Sequence, residues 1–314
     1  MGKIIITGVD GNFGGYAARR ALELVPADRL IFTSPVMEKM STYEKTGAEL
    51  RYADYNSPST LRKAFEGGET LLLISMPFVG EKRRNAHKAA IDAAAECGIK
   101  KVVYTSIVGA GVEENDAYEI ADHKVTEQYI KDKGIDYIIL RDSQYAEAMV
   151  SAYEEAFNNT KGVLSNNMGD GLMAFVARFD CAEAAACVAA GAGEINSIYY
   201  ISGPEAITVS EYLRIASDVT GNRVRYQYIT DDEMYAFFDS IGVPRTTDGE
   251  WAKSASNFPF CSEGMVTFGR AIRLGQMSNC TNDYEMLTGK KPLSVREIFE
   301  RIDEHRIGAR TSTD

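Results

Sequence analysis

Residues 3–15 read KIIITGVDGNFGG, and the rest of the chain is arranged around this stretch. A short β-branched apolar run leads into three regularly spaced glycines, and a helical pattern follows from Tyr16. Gly8 allows a tight turn out of the strand, Gly11 allows a phosphate to approach the backbone, and Gly14 allows close helix packing. This unit predicts a dinucleotide site, with the phosphates at the positive end of the helix.

The glycine spacing leaves a second interpretation open. It is G-x-x-G-x-x-G rather than the commoner G-x-G-x-x-G, and the same glycines would suit a turn that is only structural. Their position after the first strand and before further strand–helix repeats favours the cofactor site. We therefore assign six loop residues to cofactor binding: Gly8, Asp10, Gly11, Asn12, Phe13 and Gly14.

Composition limits the classes of protein to consider. Of the 314 residues, 45% are hydrophobic and 25% charged, as in a globular protein, and no apolar run approaches the ~18 residues of a membrane span. A net charge of −11 argues against nucleic-acid binding, which needs clustered Lys and Arg. Five scattered cysteines suggest small buried hydrophobes rather than disulfides or a metal site. Because the first strand starts at residue 3, we expect a cytoplasmic enzyme without a signal peptide.

Apolar runs alternate with helical patterns through the first half of the chain. The predicted strands cover residues 3–7, 29–33, 49–52, 70–75, 101–106 and 136–141. This alternation predicts an α/β protein with a doubly wound parallel sheet. We place the dinucleotide-binding domain at residues 1–150 and a small, mixed C-terminal substrate lobe at residues 151–314, with parts of 180–205 returning to the sheet.

The second half is less regular, and its predicted elements are fewer. They are a helix over 181–190, a strand over 198–202, a helix opened by a capping box at Thr208 and Glu211, a strand over 224–229, and a mostly helical tail from Asp231 that ends in a helix over 294–306. This irregularity argues against a second nucleotide-binding fold, which is why we assign the region to the substrate.

The carboxyl ends of parallel strands face the ligand crevice of such a sheet. The second strand ends in Thr33 and Ser34, whose hydroxyls, with Lys39 one turn later, favour a ribose 2′-phosphate; an ordinary capped turn is the alternative. Asp54 and Tyr55 follow the third strand, where the carboxylate suits an adenine amino group or a simple turn. The later strand ends add Ser75, Met76, Pro77, Tyr104, Thr105 and Ser106. The predicted cofactor is NADPH, with NADH as the other choice.

Six motifs occur in a fixed order along the chain. They are residues 4–14, 52–55, 72–75, 104–106, 123–127 (His-Lys-Val-Thr-Glu) and 140–145 (Leu-Arg-Asp-Ser-Gln-Tyr). Together they resemble the NmrA-like atypical short-chain dehydrogenases/reductases, especially their quinone and triphenylmethane-dye reductases. The resemblance covers most of the chain and implies a Rossmann domain, a small C-terminal lobe, and NADPH-dependent two-electron reduction of a conjugated planar acceptor.

The resemblance also implies site residues. The usual Tyr-x-x-x-Lys pair is missing, because Asp122 stands four residues after Tyr118, and His123 resembles the counterpart of the lysine. We expect His123, with an ordinary pKa of ~6.5, to donate a hydrogen bond to the nicotinamide ribose or the acceptor, unless it is only structural. Tyr145 is expected to donate a proton or to form an aromatic wall. The wall residues are Phe78, Tyr104, Tyr145 and Met149. His87 is interpreted as a surface or packing residue.

Two positions depart from the pattern of the relatives. They carry an Arg at the end of strand two, where this chain has Thr33-Ser34-Pro35, and this difference puts a strict NADPH preference in doubt. They carry Asn after the Arg of strand six, where this chain has Asp142. That change replaces a neutral donor by an acceptor near the substrate, so quinone specificity does not transfer directly.

Two other functions are compatible with this family. Some NmrA-like proteins bind NAD(P) and report redox state to a partner without turnover, and the missing Tyr–Lys pair fits such a sensor equally well. The presence of His123 and Tyr145 favours an enzyme. A nucleotide-sugar epimerase is disfavoured, because its chemistry depends on the missing tyrosine base. We expect a monomer or homodimer whose partner is a small planar molecule, with no nucleic acid, membrane or metal.

Overall fold

The computed structural model describes residues 2–247 and 260–307, and a parallel sheet lies at its centre. The strands are β1 (Lys3–Ile6), β2 (Leu30–Ser34), β3 (Glu49–Tyr52), β4 (Gly68–Leu73), β5 (Lys101–Ile107), β6 (Asp136–Asp142), β7 (Val163–Asn166), β8 (Ser197–Ile201) and β9 (Arg225–Tyr228). Seven strands pair in the order β3-β2-β1-β4-β5-β6-β8, all parallel, and β7 pairs with β9 separately. The predicted doubly wound α/β class is confirmed.

Helices cover both faces of the large sheet. They are α1 (Asn12–Leu24), α2 (Ser59–Phe65), α3 (Glu81–Glu96), α4 (Tyr118–Asp132), α5 (Ala146–Asn159), α6 (Arg178–Ala190), α7 (Val209–Thr220), α8 (Asp231–Ser240), α9 (Ser262–Arg273), α10 (Asp283–Thr288) and α11 (Val295–Glu300), with 3₁₀ turns at Ala27–Arg29, Met37–Tyr43 and Ile302–His305. One core cluster joins the sheet to α1, α6 and α10, and a second joins it to α2, α3 and α4.

The β1 sequence explains why this strand lies in the middle. Ile4 and Ile6 face the α1–α6 side and Ile5 faces the α2–α4 side, and all three are buried. A strand buried on both faces reads as a continuous apolar run, which the sequence shows here. The strand order reverses between β1 and β4, so a crevice opens beyond their carboxyl ends.

The C-terminal region has its own core, formed by residues of α5, α7, α9 and α11 among others. The capping box of Thr208 and Glu211 is present at the start of α7, as predicted. Helix α5 and strand β7 were not predicted from the sequence, and the predicted helix over 294–306 is shorter, because α11 ends at Glu300 and a 3₁₀ turn follows. Parts of the predicted helical tail, 248–259 and 308–314, lie outside the described residues.

The predicted burial of the cysteines is wrong for one of them. All five thiols are free; Cys181, Cys187 and Cys261 are buried, Cys97 is partly buried, and Cys280 is exposed. Within residues 2–247 and 260–307, no group of three or more His, Cys, Asp or Glu is placed to hold a metal ion. No helix in those ranges has the length and apolar character that a membrane crossing requires.

A buried carboxylate connects α5, α6 and the last turn of the described chain. Both Glu147 oxygens accept from the Arg178 N–H at the start of α6, at 3.1 and 3.0 Å. Oε1 also lies 3.1 Å from Nδ1 of His305, and both side chains are 1% exposed. A carboxylate at a helix N-terminus is favoured by the helix dipole, so Glu147 holds three segments together.

We expect Glu147→Ala to lower the free energy of unfolding by about 2–4 kcal/mol, because it leaves the His305 ring and the Arg178 N–H buried without their partner. Urea unfolding followed by circular dichroism measures this. The matched control is Glu155→Ala on the exposed face of α5, which should change stability by less than about 0.5 kcal/mol. Equal losses in the two variants would contradict the connecting role of Glu147.

Candidate active site

The glycine loop forms the floor of the crevice, and its shape requires two of its glycines. Gly8 has φ +62°, a left-handed conformation that favours glycine. A Cβ on Gly14 would lie 2.1 Å from the Gly8 carbonyl oxygen, so only glycine lets α1 approach the end of β1 this closely. Gly11 caps α1 without a side-chain hydrogen bond to the first-turn N–H groups. The helix therefore presents unpaired donors to the crevice.

The outer side of this loop has room for a ligand. If Gly11 carried a Cβ atom, its nearest neighbour among the described residues would be the Gly8 carbonyl oxygen, 3.5 Å away. Asn12 is exposed and Asp10 is half-buried, whereas Phe13 is buried beneath the loop. This cradle of small residues at a helix N-terminus fits a pyrophosphate group, which accepts hydrogen bonds from exposed backbone N–H groups.

The hydroxyls at the end of β2 point into the protein. Thr33 Oγ1 donates to the Ile6 carbonyl at 3.5 Å, and Ser34 Oγ accepts from the Val36 N–H at 2.8 Å. Both residues are 1% exposed. The capped turn that the sequence analysis held as its alternative is therefore present, and neither hydroxyl is presented to the surface of the crevice.

The two residues after β3 differ in what they offer a ligand. Asp54 Oδ1 accepts from the backbone and the side-chain amide of Asn56, at 2.8 and 3.1 Å, and so closes a local turn. The Tyr55 hydroxyl is buried without a hydrogen bond of ordinary geometry among the described residues, although the Thr7 side chain lies near it. Burial raises the pKa of Tyr55 to about 12, so this hydroxyl stays neutral and can donate. An unpaired buried polar atom beside the crevice is consistent with a ligand site.

The loop after β4 is fixed at its start and open at its tip. The Ser75 N–H donates to Thr105 Oγ1 at 2.8 Å, which ties the loop to the next strand. Pro77 is exposed and Phe78 is half-buried. The Lys82 ammonium lies 3.9 Å from the centre of the Phe78 ring. Phe78 is thus partly exposed beside Lys82, and its place in the acceptor wall stays a prediction.

A buried histidine that the sequence analysis did not assign to the site holds the same loop. His87 Nε2 accepts from the Met76 N–H at 3.0 Å, and Nδ1 lies 3.0 Å from Thr126 Oγ1. Burial, with a smaller effect of Arg83, lowers the pKa of His87 to about 3, so the ring is neutral. Arg83 Nε donates to the Met76 carbonyl at 2.9 Å. Because Arg83 and His87 are four residues apart within an alanine-rich helix pattern, their shared buried face was detectable in the sequence.

His123 lies deeper than expected. Tyr104 Oη is 2.8 Å from Nδ1, and Arg83 Nη1 is 3.3 Å from Nε2. Burial and then Arg83 lower the pKa of His123 well below its ordinary value, so the ring is neutral. Because Arg83 can only donate, Nε2 is the acceptor and the proton lies on Nδ1. Both nitrogens contact protein groups, and Tyr104, fully buried, belongs to this network and not to the crevice wall.

The positions of the missing Tyr–Lys pair have structural roles. Asp122 is fully buried, and its carboxylate accepts from the Gly80 N–H at 2.6 Å and from Arg84 Nη1 at 2.5 Å. Tyr118 Oη lies 3.2 Å from Thr247 Oγ1. Neither residue is arranged as the proton donor and ribose-binding cation of a typical short-chain dehydrogenase, so the site needs an acceptor that reacts without that pair.

Three polar side chains form a buried network between α4 and the ends of β5 and β6. Ser106 Oγ donates to Glu127 at 2.6 Å, and Glu127 forms a buried two-point ion pair with Arg141 at 3.0 and 2.7 Å. The fixed geometry of this pair anchors α4 to β5 and β6. The side chain of Ser106 is thus committed to the α4 face of the sheet.

The end of β6 brings an acid and a tyrosine together. Tyr145 Oη donates to Asp142 Oδ2 at 3.1 Å, and its ring lies 6.4 Å from that of Phe13 in the glycine loop. Tyr145 is half-buried, and its role towards the substrate stays a prediction. Met149, in contrast, is 3% exposed and belongs to the core of the C-terminal region.

Comparisons with known proteins agree with this arrangement. The family model described as "NmrA-like family" matches residues 1–258. Quinone oxidoreductase 2 of Escherichia coli is 33% identical over 242 residues, 77% of this chain and 82% of the relative. The structure of an E. coli NADPH-dependent quinone oxidoreductase with NADPH superposes with a TM-score of 0.84 at 28% identity, covering 96% of this chain and 99% of that one. Citrobacter sp. triphenylmethane reductase with NADP(H) gives 0.80 at 30% identity, covering 95% and 99%.

The glycine loop offers a test that separates folding from binding. Gly14→Ala should lower the free energy of unfolding by about 1–3 kcal/mol, because the new methyl group collides with the Gly8 carbonyl. Gly11→Ala should cost less than about 1 kcal/mol, yet weaken dinucleotide binding at least about tenfold, because the methyl group fills the phosphate side of the loop. Thermal unfolding and fluorescence titration measure the two effects. Unchanged binding in Gly11→Ala would contradict the assignment of the loop.

Proposed function

We propose that this chain, which belongs to the NmrA-like family, is an NAD(P)H-dependent reductase that transfers hydride to a quinone, a dye or another conjugated planar acceptor. One observation carries the proposal. The chain matches, over at least 95% of its length, two reductase structures that hold NADPH or NADP(H), and its uncapped α1 N-terminus lies over a glycine cradle that fits the pyrophosphate of such a cofactor.

The cofactor is placed along the carboxyl edge of the sheet. In the proposal the glycine loop holds the pyrophosphate, and the strand ends hold the two nucleosides. Those residues are Thr33, Ser34, Asp54 and Tyr55 for the adenosine half, and Ser75, Met76, Pro77, Thr105 and Ser106 for the nicotinamide half. NADPH, when bound, supplies the hydride, and NADH is the second choice of cosubstrate. Since the Thr33 and Ser34 side chains point inward, we propose that the end of β2 binds the adenosine half of the cofactor mainly through backbone groups.

A conjugated acceptor suits the groups that this chain provides. The protein must hold such an acceptor against the hydride donor and must stabilise the negative charge that develops on the acceptor oxygen. Phe78 and Tyr145 offer flat surfaces at the crevice for stacking. We assign Tyr145 the role of proton donor. His123, whose two nitrogens contact Tyr104 and Arg83, is proposed to act as a positioning residue for the loop after β4.

The experiment is NADPH and NADH oxidation with a panel of quinones and triarylmethane dyes, followed by the loss of reduced-nicotinamide absorbance. We expect turnover, faster with NADPH. His123→Ala should lower kcat roughly tenfold, because the loop that supports the cofactor loosens, and Tyr145→Phe should lower kcat on quinones by more. Tyr137→Phe, the same change at the opposite end of β6, is the control and should retain full activity.

The same experiment distinguishes the enzyme from a redox sensor. Tight NADPH binding without oxidation across the whole panel would overturn the reductase and favour the sensor. Equal activity of wild type and both site variants would leave a reductase but contradict the roles of His123 and Tyr145. The proposed partner of the reductase is a small planar molecule, and in either case the net charge of −11 argues against a nucleic acid.

A further inference from the structure

The side chain of Asp142 is incompletely paired. Oδ2 accepts from Tyr145 Oη, whereas Oδ1 is buried without a hydrogen bond of ordinary geometry among the described residues, and the only other donor beside the carboxyl is the weak thiol of Cys181. The residue is 3% exposed, so water contributes little. A buried carboxylate with an unpaired oxygen is costly, whereas the protonated carboxyl is neutral and gains a donor. The environment therefore favours the protonated form.

The groups around Asp142 do not neutralise a charge. Its neighbours on the adjacent strands are Ile107 of β5 and Ile201 of β8, and Cys181 approaches from α6. No Lys, Arg or His in residues 2–247 and 260–307 forms an ion pair with it. Burial raises the pKa of Asp142 to about 8, and the donors Tyr145 and Cys181 offset this only in part.

More distant charges act on the neighbours of Asp142. Arg178, at the start of α6, faces Tyr145, and the carboxylates of Asp180 and Glu147 face Cys181. The two carboxylates disfavour further negative charge in this region, and Glu147 is itself engaged at the α6 N-terminus. The two carboxylates are held by their own hydrogen bonds, and near neutral pH the proton of this cluster remains on Asp142.

Tyr145 connects this carboxyl to the crevice. When Asp142 carries its proton, Oδ2–H can donate to Tyr145 Oη across the same 3.1 Å contact, and the phenolic proton is free to turn outward. The ring is half-buried and its centroid lies 6.4 Å from that of Phe13 in the glycine loop, and in the proposal the acceptor lies against its hydroxyl. The two side chains thus form a short path from a buried proton to the crevice.

The proposed reaction requires such a proton for a neutral acceptor, and His123 does not supply it. Both nitrogens of that ring contact Tyr104 and Arg83 inside the protein. We propose that Asp142 is the buried proton source for quinone reduction and acts through Tyr145. This inference rests on the proposed function. Asp142 does not itself touch the acceptor in this scheme, so it is a positioning residue and Tyr145 is the catalytic one.

For a quinone, the hydride would come from the C4–H bond of bound NADPH, which would break to leave oxidised NADP⁺ while the quinone is reduced. The displaced electron pair moves to an oxygen of the ring system, giving a hydroquinone anion. That oxygen forms a bond to the Tyr145 proton, while Tyr145 Oη takes the proton of Asp142 Oδ2. Asp142 remains as a carboxylate and regains a proton from solvent. A cationic triarylmethane dye differs, because hydride addition alone gives the neutral product and no proton is needed.

This difference provides the test. Wild type, Asp142→Asn and Asp136→Asn are compared with one quinone and one cationic dye, from about pH 6 to about pH 9. Because only the protonated carboxyl donates, wild-type quinone turnover should fall as the pH rises through about 8, while dye turnover shows no such fall. In Asp142→Asn the quinone-to-dye rate ratio should drop roughly a hundredfold and lose this pH dependence.

Two further measurements accompany the kinetics. Asp136→Asn, at the exposed first position of β6, should keep the wild-type ratio and pH profile. Infrared difference spectra of the cofactor-free protein, wild type minus Asp142→Asn, should show the C=O band of a protonated carboxyl at neutral pH, which disappears in alkali. This band reports the protonation state independently of turnover.

The outcomes separate the two proposals. An equal loss of quinone and dye turnover in Asp142→Asn, a retained pH dependence in that variant, or an ionised carboxyl at neutral pH would overturn the proton path and leave the reductase intact. If wild type reduces neither acceptor, the proposed function fails and the proton path fails with it. A selective loss on the quinone, with the infrared band present, supports the proposal.

Discussion

The close approach of α1 to the end of β1 is the constraint on which the site depends. It exists because Gly14 has no Cβ to strike the Gly8 carbonyl, and because Gly8 itself adopts φ +62°. The contact sets the N-terminus of α1 over the crevice with its first-turn N–H groups unpaired by any cap. It also brings Phe13 beneath the loop, where the Tyr145 ring approaches it. The contact between Gly14 and the Gly8 carbonyl thus positions both the proposed cofactor loop and the Phe13 ring that lies near Tyr145.

Several titratable side chains are buried without an opposite charge beside them, and this sets their protonation states. His87 and His123 are neutral because they are buried next to Arg83, and neutral rings can accept hydrogen bonds from N–H donors. His87 contacts the loop after β4 directly, and His123 reaches it only through Arg83. Neither ring titrates near neutrality, contrary to the expectation for His123. The same physics acts with the opposite consequence at Asp142, where burial retains a proton. The buried histidines thus serve as neutral hydrogen-bonding groups, whereas the buried carboxyl of Asp142 is proposed to hold a proton.

Much of the architecture could be predicted from the sequence, and the limits have physical causes. The inner strands were visible because both faces of the sheet are buried there, which makes β1, β2 and β4 largely apolar runs, unlike the edge strand β3. Helix α5 was missed although Ala146, Met149, Val150 and Tyr153 follow a helical period. The network of His87 could not be derived in full, since its partner Thr126 lies 39 residues away. Contacts between distant segments depend on packing, which local patterns do not encode.

The transfer of hydride itself can be followed with a label that does not exchange with water. The protein would be incubated with a triarylmethane dye and NADPH carrying deuterium on one face of nicotinamide C4, and then, separately, on the other face. Mass spectrometry of the colourless product reports deuterium on the central carbon of the dye. The account predicts one deuterium from one labelled form and none from the other. A product without deuterium from either form, or no product, would contradict direct hydride transfer in this site.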